Sequence, residues 1–401
     1  MIFPYRSGLS FSILVIQCPP FLRDSESKAM RICVDIQSAV AQRAGVGRYT
    51  RNLVEHLGPF AAPDDDLRLF FFDFRHRGLD FTCPGAHPHP VRWIPGKYAQ
   101  QAWKRLHWPP FNWFSGKSDL YHFPNFTLPP LTQGRSVVTI HDMSFIRHPE
   151  FTEAENLRYL TAVIPETVRR ADAIITVSRF SKQEIEECLG VDPNRVFAVH
   201  LGVSSDYHRP APEQISRLRH DLTLTRPYLL TVGTVEPRKN LPFMIEVFEQ
   251  LKGFDGDLVI AGMAGWKTGP ILKRIADSPR RERIRYLNYV PEGSLPALYA
   301  GAEIFLITSL YEGFGFPPLE AMACGTPVVS SAGGSLAEIL KGAAIIIPDF
   351  AVARWTDTLQ SLLEDGPTRD RLGAAGPVHA ARYSWHDTAR QTWDVYRKVM
   401  S

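Results

Sequence analysis

The residues from Ile304 to Ser330, IFLITSLYEGFGFPPLEAMACGTPVVS, combine a glycine-rich loop with two glutamates, Glu312 and Glu320. A buried strand ending near Ser309 runs into Gly313-Phe314-Gly315-Phe316, and Pro317-Pro318 pre-sets the first turn of a helix that Gly325 closes. The start of that helix therefore lies at the carboxyl end of a parallel strand, where unpaired N–H groups and the helix dipole favour an anion such as a diphosphate. Carboxylates beside such a pocket repel its guest, so Glu312 and Glu320 are better explained as acceptors for sugar hydroxyls. Taken singly, Glu320 also reads as a charge in the first turn of a helix, and Glu312 as a solvated loop residue.

Three further segments point to the same edge. In TVGTVEPRKN, Thr231 to Asn240, a strand ends at Val232 and a tight turn after Gly233 brings Arg238 and Lys239 to the strand tips, a pair suited to phosphate oxygens. In TIHDMSFIRHP, Thr139 to Pro149, a strand ends at His141-Asp142, which turns His141 toward the cleft; His148 reads as structural or exposed. In AGVGRY, Ala44 to Tyr49, Gly45 and Gly47 permit close backbone approach and Arg48 adds a cation. This last segment lacks the third glycine and the spacing of a dinucleotide fingerprint, which disfavours NAD or FAD. Asp255-Gly256-Asp257 could hold a divalent metal, but it precedes a strand at the edge opposite the ligand, so it reads as turn chemistry and no metal site is expected.

The elements that must position these groups alternate between strand-length apolar runs and helical patterns, the signature of parallel sheets covered by crossover helices. The expected strands are Arg31–Ile36, Leu67–Phe72, Val91–Ile94, Leu120–Phe123, Ser136–Ile140, Ala173–Val177 and Val196–His200. After a proline-bearing connection with a short helix, Val203 to Pro227, come Tyr228–Val232, Leu258–Ala261, Ile284–Leu287, Ile304–Ile307, Pro327–Ser330 and Ala344–Ile347. The chain of 401 residues, 44% apolar, is long enough for two cores. The reading is an α/β chain with two Rossmann-like, doubly wound domains, 30–205 and 206–384, facing a central cleft, and a final helix, 385–401, crossing back to the first. Residues 1–29 read as an extraneous extension, with translation starting at Met30. Leu9 to Cys18 lacks a cleavage site and is too short to span a bilayer. Forty-five basic against 42 acidic residues give a net charge of +3, no argument for nucleic acid. Five separated cysteines fit a reducing cytoplasm.

On these residues the chain resembles the retaining glycosyltransferases of family 4, which have the GT-B architecture. The E-x7-E pattern Glu312-GFGFPPL-Glu320, followed by GTPVVSS and Gly333-Gly334-Ser335-Leu336-Ala337-Glu338, carries the likeness. With AGVGRY, PNFTLP (Pro124 to Pro129), TIHDMSF and TVGTVEPRKN, it is similar to bacterial mannosyltransferase-like members that build O-antigen and other surface polysaccharides. The resemblance implies Glu312 near the donor hexose, Glu320 on the ribose, Arg238 and Lys239 on the diphosphate, and His141 facing the reacting sugar. It also implies that Gly45-Val46-Gly47 closes over the phosphates, with Gly233 and Gly313 to Phe316 lining the donor site. Many relatives carry a Gly-Arg pair after the first strand of the second domain, whereas here Thr234 follows Gly233.

No cofactor is then expected beyond the nucleotide-sugar donor itself, with GDP-mannose as the first choice and a glycan or polyprenyl-linked acceptor. Retaining transfer without an obvious nucleophile points to a front-face mechanism, in which leaving-group charge rests on Arg238, Lys239 and the helix N-terminus. Trp93 to Phe114 mixes four tryptophans with Lys97, Lys104, Arg105 and His107, which suits peripheral contact with the inner face of the cell membrane and equally an ordinary packed helix and loop. Rival readings are a UDP-sugar-dependent transferase, a GT-B sugar-nucleotide epimerase and an inactive nucleotide-sugar sensor. A glycosidase, which also uses two carboxylates, is disfavoured by the Rossmann context and the paired cations.

Overall fold

The computed structural model describes residues 29–42 and 45–401. The proposed extension therefore lies outside the described residues, save Ala29. The chain forms two all-parallel sheets. The first holds β1 (Arg31–Asp35), β2 (Asp66–Phe72), β3 (His87–Val91), β4 (Leu120–Phe123), β5 (Arg135–Thr139), β6 (Ala173–Thr176) and β7 (Val196–Ala198), in the order β3-β2-β1-β4-β5-β6-β7. The second holds β8 (Tyr228–Val232), β9 (Asp257–Ala261), β10 (Ile284–Asn288), β11 (Ile304–Ile307), β12 (Val328–Ser331) and β13 (Ile345–Ile347), in the order β10-β9-β8-β11-β12-β13. Central strands such as LYHF and IFLI are buried at every position, as a sheet covered on both faces requires.

One strand sits elsewhere than expected. The apolar run Val91–Ile94 is replaced by β3, His87–Val91, whose sequence HPHPV carries no hydrophobic pattern. It is an edge strand, and Pro88 and Pro90, two residues apart, both present their missing N–H to the same free side. Glu320 is a smaller correction. The helix begins at Phe316, so Glu320 lies in its second turn, not its first, and is 2% exposed.

Each strand order reverses once, between β1 and β4 in the first sheet and between β8 and β11 in the second. These are the places where crossovers leave in opposite directions and open a crevice at the carboxyl ends. The terminal helix, Trp385–Met400, starts on a Ser384 cap and packs on the Val46–Leu57 helix of the first sheet. There the Tyr396 hydroxyl meets His122 Nδ1 at 2.7 Å, and His122 Nε2 meets Thr139 Oγ1 at 2.8 Å.

Candidate functional site

At the crevice between β8 and β11, the sequence delivers three charges to one point. A 3-10 turn, Pro237–Lys239, follows β8, and the loop after β11 carries Glu312. Glu312 Oε2 accepts from Arg238 Nη1, and its Oε1 accepts from both Lys239 Nζ and the Ser309 hydroxyl, all at 2.6 Å. Arg238 also donates to Glu236 Oε1 and to the Tyr311 carbonyl. Burial by itself would push the Glu312 carboxyl up; Arg238 and Lys239 outweigh it and hold it down at about 2. The glycine pair Gly333-Gly334 permits this loop geometry, since a Cβ at either would strike the backbone of Ser309 or Glu312. The Ser335 N–H then donates to the Glu312 carbonyl at 2.9 Å.

Glu320 faces the other lobe. Its Oε2 accepts from the Tyr299 hydroxyl at 2.8 Å, and its Oε1 lies 2.6 Å from Arg48 Nη1. That second contact is a close ion pair between the buried Oε1 and the Arg48 guanidinium. The Arg48 guanidinium lies over the rings of Tyr207 and Phe316, each 5.2 Å from the ring centroid. Burial opposes its charge, and Glu320 more than restores it.

Other contacts also cross the cleft. The Ser178 hydroxyl donates to the Gly313 carbonyl at 2.8 Å, and Glu338 accepts from the Arg179 and Phe180 N–H groups and from His200 Nε2. Trp266 Nε1 donates to the Phe151 carbonyl. The cleft is therefore closed in this structure, with Gly313 against His141 and Asp142: a Cβ there would lie 2.7 Å from the His141 carbonyl.

His141 is half-buried, its Nε2 2.9 Å from the Pro124 carbonyl and its ring edge-on to Tyr49. Burial lowers its pKa, which keeps the imidazole neutral. Tyr49 joins the buried network through Thr139 Oγ1 at 3.1 Å, so the terminal helix is linked to His141 by way of His122, Thr139 and Tyr49. The glycines divide by role. Gly45 has φ +58 and precedes the Val46–Leu57 helix. Gly47 is needed for internal packing, because a Cβ would strike the Gln42 and Ser38 carbonyls. Gly233, φ +148, lies beside the Lys239 side chain, and Gly315, φ +99, caps the Phe316–Ala323 helix. Phe314 is buried beside Phe316 and Tyr383.

Sequence reasoning missed Glu236 and Tyr299, and it gave Arg48 no partner. Nothing in a linear pattern pairs Arg48 with a carboxylate 272 residues away. Asp255 and Asp257 lie at the entering end of β9, where Arg283 engages both. In the Trp93 to Phe114 region, Trp93, Trp108 and Trp113 are exposed, with Tyr98 and Leu106, whereas Trp103 packs on Phe72, Phe111 and Phe114. No helix among the described residues is long and apolar enough to cross a membrane.

Residues 43–207 match the family described as Glycosyltransferase Family 4, and residues 213–379 match Glycosyl transferases group 1. An O-antigen chain mannosyltransferase B from Escherichia coli is 33% identical over 368 residues, 88% of this chain and 96% of that protein. The chain belongs to the family 4 glycosyltransferases. A D-inositol 3-phosphate glycosyltransferase from Nocardioides is 26% identical, over 66% of this chain and 62% of its own. The fold of this glycosyltransferase is that of sucrose-phosphate synthase from Thermosynechococcus elongatus, with TM-score 0.73 and 19% identity over 92% of this chain and 99% of the other. The two facing parallel sheets are thus the GT-B architecture.

Proposed function

We propose that this glycosyltransferase moves mannose from GDP-mannose, with retention and without a metal, onto a glycan or polyprenyl-linked acceptor in O-antigen or related surface polysaccharide synthesis. The observation that carries the reading is the junction of Arg238, Lys239 and Glu312 at a switch point. Two half-buried cations are already held where a diphosphate's charge must be received, and Glu312 keeps them in place until it arrives. As the diphosphate departs it gains negative charge, which Arg238, Lys239 and the start of the Phe316–Ala323 helix stabilise. The acceptor proton passes to a leaving phosphate oxygen, while closure positions both sugars and excludes water. Glu320, held by Tyr299 and Arg48, offers a carboxylate lone pair to a ribose hydroxyl. His141, neutral, holds a donor hydroxyl.

The 33% identity to an O-antigen chain mannosyltransferase supports the choice of sugar and product. Exposed Trp93, Trp108 and Trp113 beside Lys97 and Arg105 support peripheral contact with the inner membrane face, where a polyprenyl-linked acceptor resides. Flotation with anionic liposomes tests this: a protein that stays at the bottom of the gradient discards the membrane contact.

Thermal-shift titration with GDP-mannose, UDP-glucose and ADP-glucose tests the donor, because a ligand bound only to the folded state raises the melting temperature by mass action. GDP-mannose is expected to give the largest shift, and a larger shift with UDP-glucose overturns the choice of base. Product analysis by NMR then reads anomeric configuration, and release of a free isomerised sugar nucleotide in the absence of acceptor marks an epimerase instead.

A further inference from the structure

In the middle of the first sheet, four polar side chains that the transfer chemistry does not use are buried to 0 or 1% exposure: Tyr49, His122, Thr139 and Tyr396. They come from four elements, the Val46–Leu57 helix, β4, β5 and the terminal helix. Tyr396 Oη lies 2.7 Å from His122 Nδ1, His122 Nε2 lies 2.8 Å from Thr139 Oγ1, and Thr139 Oγ1 lies 3.1 Å from Tyr49 Oη. Apolar residues would fill the same space at no desolvation cost, so the polar choice needs a reason beyond filling a core. A hydrogen-bonded chain of this kind fixes one arrangement of the segments it joins.

The chain ends against His141. Thr139 closes β5 and His141 follows two residues later, and Tyr49 touches both: its hydroxyl meets Thr139, and its ring stands edge-on to the imidazole with centroids 4.8 Å apart. Phe126 supplies a second ring contact at 5.4 Å. The Pro124 carbonyl can only accept, so His141 Nε2 carries the ring hydrogen and Nδ1 of the neutral imidazole keeps its lone pair. That lone pair is what the ring has left for a donor hydroxyl. Where it points is set by one hydrogen bond and two ring contacts.

We propose that Tyr396 is a positioning residue of this transferase: through His122 and Thr139 it anchors the Tyr49 hydroxyl, and Tyr49 holds the His141 ring at the angle that aims Nδ1 at a hydroxyl of the donor sugar. The hydroxyl-holding role of His141 rests on the reading above; the chain of contacts from Tyr396 to its ring does not. Burial keeps His122 neutral, so each of the four groups carries one exchangeable hydrogen. Removing the Tyr396 hydroxyl therefore frees His122 to change tautomer and Thr139 to turn its hydrogen away from Tyr49. The terminal helix in this way sets the geometry of a side chain at the cleft without touching substrate.

The test uses the whole chain and the rate of GDP release from GDP-mannose. Tyr49→Phe and Tyr396→Phe each keep the ring and lose the hydroxyl, and each is expected to lower kcat about threefold to tenfold, the range of one neutral hydrogen bond, with donor KM within about twofold of wild type. The double variant is expected to be no slower than the slower single one, because both break one chain. Thr392→Val removes another buried hydroxyl one turn earlier on the same helix and is expected to keep wild-type kcat whatever it costs in stability. Wild-type kcat in Tyr396→Phe, or losses that multiply in the double variant, overturns the proposal. Should Tyr396→Phe fail to fold, Thr139→Val and Thr139→Ser make the same comparison: kcat restored by serine supports the chain, and equal losses reject it. If wild-type protein releases no GDP, or His141→Asn releases it as fast, the donor or His141 reading fails by itself. Long-range 1H–15N spectra of the imidazoles, which need no donor, then decide the chain: His141 signals, assigned by their loss in His141→Asn, that move in Tyr396→Phe support it, and unmoved signals reject it.

Discussion

The two switch points of this molecule are built by the same topology and filled in opposite ways. Between β8 and β11, half-buried Arg238 and Lys239 and buried Glu236 and Glu312 neutralise one another. Between β1 and β4, Asp35 stands beside open space, with half its carboxylate unused. A parallel sheet supplies the crevice in both cases; side chains decide whether it stores charge or leaves room. The charged crevice lies against the other lobe, through Gly313 and the Arg48–Glu320 contact, whereas the open one is bounded by first-lobe helices.

The sharpest way to break this contrast is to disarm the charged crevice. Glu312→Gln and Lys239→Ala are each expected to cut transfer at least roughly a hundredfold, because the proposed transfer sets both beside the charge that develops as the diphosphate leaves. Initial rates near wild type would remove them from the chemistry. The next effect concerns what presses the lobes together. Arg48→Met keeps length and apolar contact but strips Glu320 of its cation, so a loss of roughly tenfold to a hundredfold in kcat/KM is expected, with a larger radius of gyration by small-angle scattering. An unchanged radius would show that the other cross-cleft contacts suffice.

Stability against pH separates the two regions further. Burial, and after it His141, lowers His122 to about 3, whereas in the unfolded chain it ionises near its ordinary 6.5. The unfolded state therefore binds more protons below 6.5, and stability is expected to fall from there toward pH 3. Glu312 acts in a lower window. Its contribution is present above about 4.5 and is lost as pH falls toward about 2. Urea midpoints from pH 7.5 to 5 should decline less in His122→Asn than in wild type, while Glu312→Gln should leave that slope alone; equal slopes in all three proteins would refute the assignment. The smallest effect is expected from Glu338→Gln, which weakens a carboxylate on the first N–H groups of the Arg179–Leu189 helix and on His200. A loss of about 1 kcal/mol in chemical denaturation is the expected size.

Most strands could be read from the sequence because fully buried parallel strands are short apolar runs, and β8 and β11 match their expected bounds. β3 could not, since an edge strand owes its place to pairing on one side and tolerates proline on the other. In the candidate site, the loop glutamate and the two cations were legible as motifs. Their mutual pairing was not, because the strands that bear them are neighbours only through a sheet order that skips two strands. Gly47 shows the same limit: a glycine beside a strand suggests a ligand, while its missing Cβ here accommodates the chain's own carbonyls.

By itself the sequence determined the alternation of strands and helices, the glycine-rich loop before a helix start and the presence of two lobes, since these follow from local periodicity and from which residues can occupy a bend. Only the tertiary structure decided that Arg48 meets Glu320, that His122 ties the last helix to Tyr49, and that one crevice is full and the other empty. Those outcomes depend on distances between segments up to 274 residues apart, which packing sets and no local pattern encodes.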